Sequence, residues 1–260
     1  MLADINPLYT LAGVGVGTLV GLTGVGGGSL MTPLLVLAFG FHPATAVGTD
    51  LLYASATKSV GTVVHGVGGT VDWRVVGRLA TGSIPATLAT LGVMSWSGAQ
   101  LGGAAHIITA TLGAALLATA IAILFRRQIV AYCHARLGTM SGRSVARSTI
   151  LLGVLLGVMV SLTSVGAGAL GMTVLLVLYP QLPTNRLVGS DIAHAVPLTL
   201  IAGSGHWLMG SVDVGLLASL LIGSVPGIIF GSLISTRISD DVLRPILAVT
   251  LALVGWKMFF

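Results

Sequence analysis

Glutamate is absent from this 260-residue chain, and charge of either sign is scarce, at 7% of residues. A soluble domain carries about 25% charged residues, so a soluble enzyme of this size would lack the polar surface to stay in solution. Cys133 is the single cysteine, which excludes an intrachain disulfide and a thiolate metal cluster. No close group of ligand types suggests a metal site, and no cofactor is expected. The formal charge of +5 comes without a basic tail or domain, which argues against a nucleic-acid partner. Asp4 and the lack of a basic leading segment do not read as a cleaved signal peptide, so the first apolar stretch is expected to stay in the mature protein.

What fills the chain instead is apolar: 55% hydrophobic residues, a mean hydropathy of +1.03, and 37 glycines. Small residues let helices approach closely inside a lipid bilayer. The class implied is an all-α polytopic membrane protein.

Residues 8 to 39 are almost continuously apolar, broken only at Gly24–Ser29. As one helix they would extend roughly 48 Å, against a hydrocarbon core of about 30 Å. Glycines 24, 26, 27 and 28 permit the backbone to turn. The expected solution is a broken or re-entrant helix pair, about 8–22 and 28–39, or two short tilted crossings of the same parity. Three transmembrane spans follow at about 45–66, 73–95 (kinked at Pro85) and 103–125. A basic linker covers 126–147. The second half repeats the order, with a broken segment at 148–179 and spans at 188–209, 213–235 (kinked at Pro226) and 241–259. The divisions expected are therefore 1–125, a cytoplasmic linker at 126–147, and 148–260.

The two halves match in register. At an offset of 140, Leu22, Thr23, Val25, Gly26, Gly28 and Leu30 fall on Leu162, Thr163, Val165, Gly166, Gly168 and Leu170. At 141, Gly48, Thr49 and Asp50 meet Gly189, Ser190 and Asp191; His65 meets His206, Asp72 meets Asp213, Ser83 meets Ser224, and Pro85 meets Pro226. Hydrophobic bias aligns leucine with leucine, but it does not keep Asp, His and Pro in step, so the repeat reads as a duplication.

Placing the Arg126–Arg147 linker in the cytoplasm, by the positive-inside rule, puts all ten arginines at cytoplasmic positions or just inside the adjoining spans. Lys257 is the exception. Both termini then lie outside. Each half has three spans plus a segment returning to its own side, so the halves are expected to be inverted-topology repeats.

The residues Gly24-Val-Gly-Gly-Gly-Ser-Leu-Met-Thr-Pro33 and Ala46-Val-Gly-Thr49, with a weaker copy at Val165-Gly-Ala-Gly-Ala-Leu170 and Val188-Gly-Ser190, resemble the TauE/SafE family, the sulfite exporter family. The likeness covers nearly the whole chain. It implies a bacterial-type inner-membrane transporter of small anions, notably sulfite, sulfoacetate and related organosulfur or carboxylate anions, in several cases an exporter. The second copy departs from the pattern: Ala167 replaces the middle glycine and Thr173 stands where Pro33 would be.

Helix N-termini attract anions through unpaired N–H groups and a partial positive charge. The half-helices beginning near Gly28 and Gly168 are expected to aim such ends at midmembrane. Candidate substrate-binding residues are Thr23, Gly26, Gly27, Gly28, Ser29, Thr163, Gly166, Gly168 and Lys58, with Thr32 and Ser164 as further hydroxyl donors. The plainer reading of the glycines is tight helix packing. Lys58 either neutralises the substrate or pairs with Asp191 or Asp50. Asp50 and Asp191 are candidates for proton uptake or for first-turn helix residues, and both are not expected in direct contact with an anion. His65 and His206 precede the matched Asp72 and Asp213 by seven residues; the role expected is a loop-closing hydrogen bond, with gating as the alternative. His194 is a weaker candidate for coupling or substrate contact. Trp73, Trp96, Trp207 and Trp256 fit an interfacial belt. The glycine stretch lacks the Gly-Lys-Ser/Thr ending of a phosphate loop, which rejects ATP binding.

The expected activity is export by a carrier working by alternating access, with the bilayer and a small anion as partners and proton coupling optional. The alternatives are an anion channel and a proton-coupled importer of small carboxylates or sulfonates, in which Asp191 or His194 would gain importance; an intramembrane enzyme lacks a convincing nucleophile–base pair. The residues leave sulfite, sulfonates, thiosulfate and small carboxylates, and a monomer or a dimer, equally open.

Overall fold

The computed structural model describes residues 5–23, 28–67, 69–96, 104–137, 141–235 and 240–259. Among them every regular element is an α-helix. The first half holds α1 (Pro7–Thr23), α2 (Gly28–Leu37), α3 (Pro43–Val67), α4 (Trp73–Trp96) and α5 (Ala104–Leu124). Next come α6 (Arg126–Leu137), α7 (Gly142–Thr163), α8 (Ala169–Leu178), α9 (Thr184–Leu208), α10 (Val214–Ser235) and α11 (Asp240–Lys257). Stretches of α5, α7, α9 and α10 are long and apolar enough to cross a membrane. The helices expected at 45–66, 73–95, 103–125, 188–209, 213–235 and 241–259 are α3, α4, α5, α9, α10 and α11.

The basic linker contains a helix of its own, Arg126–Leu137, and α7 begins at Gly142, ahead of the 148 expected, capped by Ser141, whose hydroxyl accepts the Ser144 N–H. The second broken segment is also lopsided. With 22 residues, α7 reaches roughly 33 Å and matches a full hydrocarbon core, whereas the ten residues of α8 reach roughly 15 Å, about half of it.

The burial pattern is that of a protein whose solvent is lipid. Leu151 and Leu155 of α7, Ile222 and Phe230 of α10, and all four tryptophans point outward. Thr32, Thr49, Asp50, Ser83, Ser190 and His194 are fully buried. With no water at midmembrane, polar groups turn inward toward one another.

Glycines set the spacing between helices. A Cβ on Gly82 of α4 would overlap the Ile150 carbonyl of α7, and one on Gly153 would overlap that of Leu79. Between α1 and α10, Gly223 meets the Thr10 carbonyl and Gly13 that of Leu220 in the same way. Each contact of the second pair lies 140 or 141 residues from its counterpart in the first. The α3–α9 pair behaves alike: Gly48 abuts the Ser211 carbonyl, and Gly189 abuts that of Thr70. Close backbone approach of this kind substitutes in lipid for a hydrophobic driving force. The inner faces of α3, α4, α7 and α9 then share one apolar core that includes Leu51, Leu79, Leu156 and Leu198.

Candidate functional site

Polar residues concentrate where α3 and α9 pass each other. At the bottom of α2 the chain turns through Gly40 (φ 69°) into α3, which brings Thr32 against Asp50. The Thr32 hydroxyl donates to Asp50 Oδ2. The Ser164 hydroxyl, from the turn between α7 and α8, faces the same carboxylate without completing a hydrogen bond. Asp50 is fully buried and its Oδ1 has no partner. Asp50 therefore touches elements from both halves of the sequence.

Lys58 lies two turns further along α3, half-buried, within electrostatic reach of Asp50, Asp191 and His194. Asp191, on α9, is 5% exposed. Its Oδ1 has no hydrogen-bond partner and sits 3.0 Å from where a Cβ on Gly171 would stand, in the first turn of α8. Arg126, at the head of α6, acts on the same carboxylate from the other side. Both aspartates are thus buried and both act on Lys58.

The second hinge is built from local hydrogen bonds. Thr163 ends α7, its hydroxyl donating to the Met159 carbonyl (2.7 Å) and accepting the Val165 N–H (3.1 Å). Ser164 takes a left-handed conformation (φ 59°), and Gly166 follows at φ 122°, where a side chain would be strained. Gly168 precedes α8 without any side-chain cap, and the first donors used are Gly171 to the Gly166 carbonyl and Met172 to that of Gly168. The N–H groups of Ala169 and Leu170 lead the helix, in the position a helix leaves unpaired. Thr163 is consequently occupied in shaping the turn, while Gly166 and Gly168 open it.

His206 does not close a loop with Asp213. Its Nε2–H donates to the Ser161 carbonyl (2.9 Å), one of the last that α7 cannot satisfy itself. Asp213 caps α10 by accepting the Leu216 N–H (2.8 Å), and Asp72 caps α4 by accepting from Arg74 (3.0 Å) and Val75 (3.3 Å). The N–H groups of these two aspartates go across the helix pair, from Asp213 to the Thr49 hydroxyl (3.1 Å) and from Asp72 to the Ser190 hydroxyl (2.8 Å). His194 bonds through Nε2 to Ser83 (2.8 Å). That hydroxyl–imidazole pair is fully buried, and His194 Nδ1 has no partner.

Gly26 and Gly27 lie outside the described residues, as do the side chains of Thr23, Ser29 and His65. Gly28 opens α2. The sequence reading missed Ser83, Ser161, Gly171 and Arg126. Ser83 had a usable signal, since it matches Ser224 two residues before a matched proline.

A helical membrane bundle with a buried, charged and hydroxyl-rich centre is the architecture of a solute transporter. The family model for sulfite exporter TauE/SafE matches residues 9–258, so the chain belongs to the TauE/SafE family and is a membrane transporter. It is 40% identical over 249 residues to the probable membrane transporter protein YjnA of Bacillus subtilis (strain 168), covering 95% of this chain and 97% of that one. It is 27% identical over 252 residues to YdhB of the same organism, also a probable membrane transporter protein, covering 94% and 96%. A probable membrane transporter protein of Xylella fastidiosa (strain 9a5c) is 27% identical over 225 residues, covering 86% and 82%. No solved structure matches the chain.

Proposed function

We propose that this chain is a carrier of small sulfur oxyanions or organosulfonates, working by alternating access in a bacterial-type inner membrane. The observation that carries the reading is the convergence on Asp50, where Thr32 of α2 and Ser164 of the α7–α8 turn reach one carboxylate from the two halves. The halves are residues 1–125 and 148–260, related by a two-fold axis in the membrane plane. Reciprocal contacts support that relation: Gly82 on Ile150 with Gly223 on Thr10, and Thr49 to Asp213 with Ser190 to Asp72. The basic segment 126–147 lies in the cytoplasm and both termini outside, as the arginine distribution requires.

The anion binds at the amino ends of α2 and α8, close to Lys58. Uncoupled, export of a monovalent anion is favoured by the negative interior, worth about 2.3 kcal/mol per 100 mV; with a proton carried alongside, that contribution vanishes and the anion and pH gradients set the direction. Counterflow of labelled sulfite in proteoliposomes tests the reading, because exchange between labelled and unlabelled solute distinguishes a carrier from a channel. Gly28→Val and Gly168→Val should abolish exchange while the protein still inserts. Unchanged exchange in both variants would remove the hinges from the mechanism.

A further inference from the structure

We propose that Asp191 is the proton-binding residue of an anion–proton symport cycle, its carboxylate and the transported anion competing for the amino end of α8. The proposal rests on the anion reading above and adds the coupling ion to it.

Three observations lead there. Asp191 Oδ1 is buried and unpartnered, and it is aimed at the first turn of α8, where only a glycine at 171 lets it come so near. Its sequence counterpart Asp50 is already engaged by the Thr32 hydroxyl, so the two carboxylates are not equivalent. The third is charge. Asp191 is acted on by Lys58 from α3 and Arg126 from α6; Lys58 acts also on Asp50 and His194, and Ser190 beside Asp191 accepts the N–H of Asp72 at the start of α4; α8 has no ionisable residue. With Lys58 and Arg126 set against Asp50 and Asp191, the carboxylates of the empty centre are balanced, so an anion gains the α8 N–H groups only by displacing the Asp191 carboxylate from them.

A proton on Asp191 takes its negative charge away from the α8 end and vacates that end for the anion in the same event. In the empty carrier the Asp191 carboxylate stands at α8. In the loaded carrier an O–H bond has formed on Asp191 with a proton from water, and the anion takes the Ala169 and Leu170 N–H groups. Release on the far side breaks the O–H bond and returns the proton to water. One proton and one monoanion cross together, with no net charge.

The test uses the full-length protein in liposomes, voltage held at zero with potassium and valinomycin, and a trapped pH dye. The probes are labelled methanesulfonate, a monoanion that carries no proton of its own and so gives the proton-to-anion ratio, and sulfite, which scores only whether that anion moves. One proton should move per anion, and an inwardly acidic-to-alkaline gradient should concentrate the label about tenfold per pH unit. In Asp191→Asn, anion should move without protons and the gradient should no longer concentrate it. Gly171→Ala keeps the carboxylate but sets a methyl 3.0 Å from it; it should alter the pH of half-maximal flux at an unchanged proton-to-anion ratio, and it decides the matter if the asparagine variant fails to fold. Anion flux without proton movement in the unmodified protein, sodium in place of protons, or gradient-driven accumulation surviving in Asp191→Asn would each overturn the proposal while leaving the carrier reading intact. If neither anion moves, the anion reading itself falls, and this proposal with it.

Discussion

Replacing Lys58 by methionine removes the cation that acts on two buried carboxylates. Asp50 is 0% and Asp191 5% exposed, so neither can recover the lost interaction from water. Removing one partner of a fully buried ion pair costs about 3–5 kcal/mol; Lys58 is half-buried and acts on the carboxylates at longer range, so a loss of about 1–3 kcal/mol is expected. For a chain of this length each kcal/mol lowers the melting temperature by roughly 2–4 °C, so Lys58→Met should lose roughly 2–12 °C in detergent micelles, read by unfolding of the purified protein. The second arm is the decisive one. In Lys58→Met/Asp191→Asn the uncompensated charge is gone, and the double variant should regain about 1 kcal/mol relative to the sum of the two single losses, as coupled neighbours do. A loss under about 1 kcal/mol in the single variant, or strict additivity in the double, would show that Lys58 is solvated outside the centre and would refute the ionic arrangement.

Gly82→Val and Gly223→Val each drive a side chain into a backbone carbonyl, of Ile150 and Thr10 respectively; both should destabilise by about 1–3 kcal/mol, and a large difference in their melting temperatures would contradict the reciprocal packing. His206→Ala leaves the buried Ser161 carbonyl without its donor, which should cost about 1–3 kcal/mol and slow sulfite exchange in proteoliposomes. Ser190→Ala removes the acceptor for the Asp72 N–H and should cost about 0.5–1.5 kcal/mol, matched by Thr49→Val at Asp213.

Helix positions were largely legible because lipid enforces long apolar runs: α3, α4 and α10 begin and end within two residues of the expected spans. The α6 helix was not, because Arg126–Leu137 is too polar to stand out as a span. Register matching found Asp50, Asp191 and His206, yet not what they touch. The Ser161 carbonyl that receives His206 is backbone, and backbone acceptors leave no trace in residue identity. Asp72 and Asp213 were readable as helix caps, standing at or one residue before the first residue of α4 and α10, but their spacing from the histidines suggested a different partner. Gly171 was hidden for another reason: it lies in an apolar run with no repeat glycine opposite it, its counterpart at 140 being Met31. Only the packed α8–α9 contact reveals why it is small.

Everything functional depends on the two halves entering the bilayer in opposite directions. Single cysteines in a Cys133→Ser background, at Gly40→Cys between α2 and α3 and at Gln181→Cys between α8 and α9, test this directly, since both positions are exposed. An impermeant thiol reagent applied to intact cells should label the cysteine at 40 and spare the one at 181 until the cells are opened. Labelling of both from the same side would contradict the inverted arrangement and the shared anion site built on it.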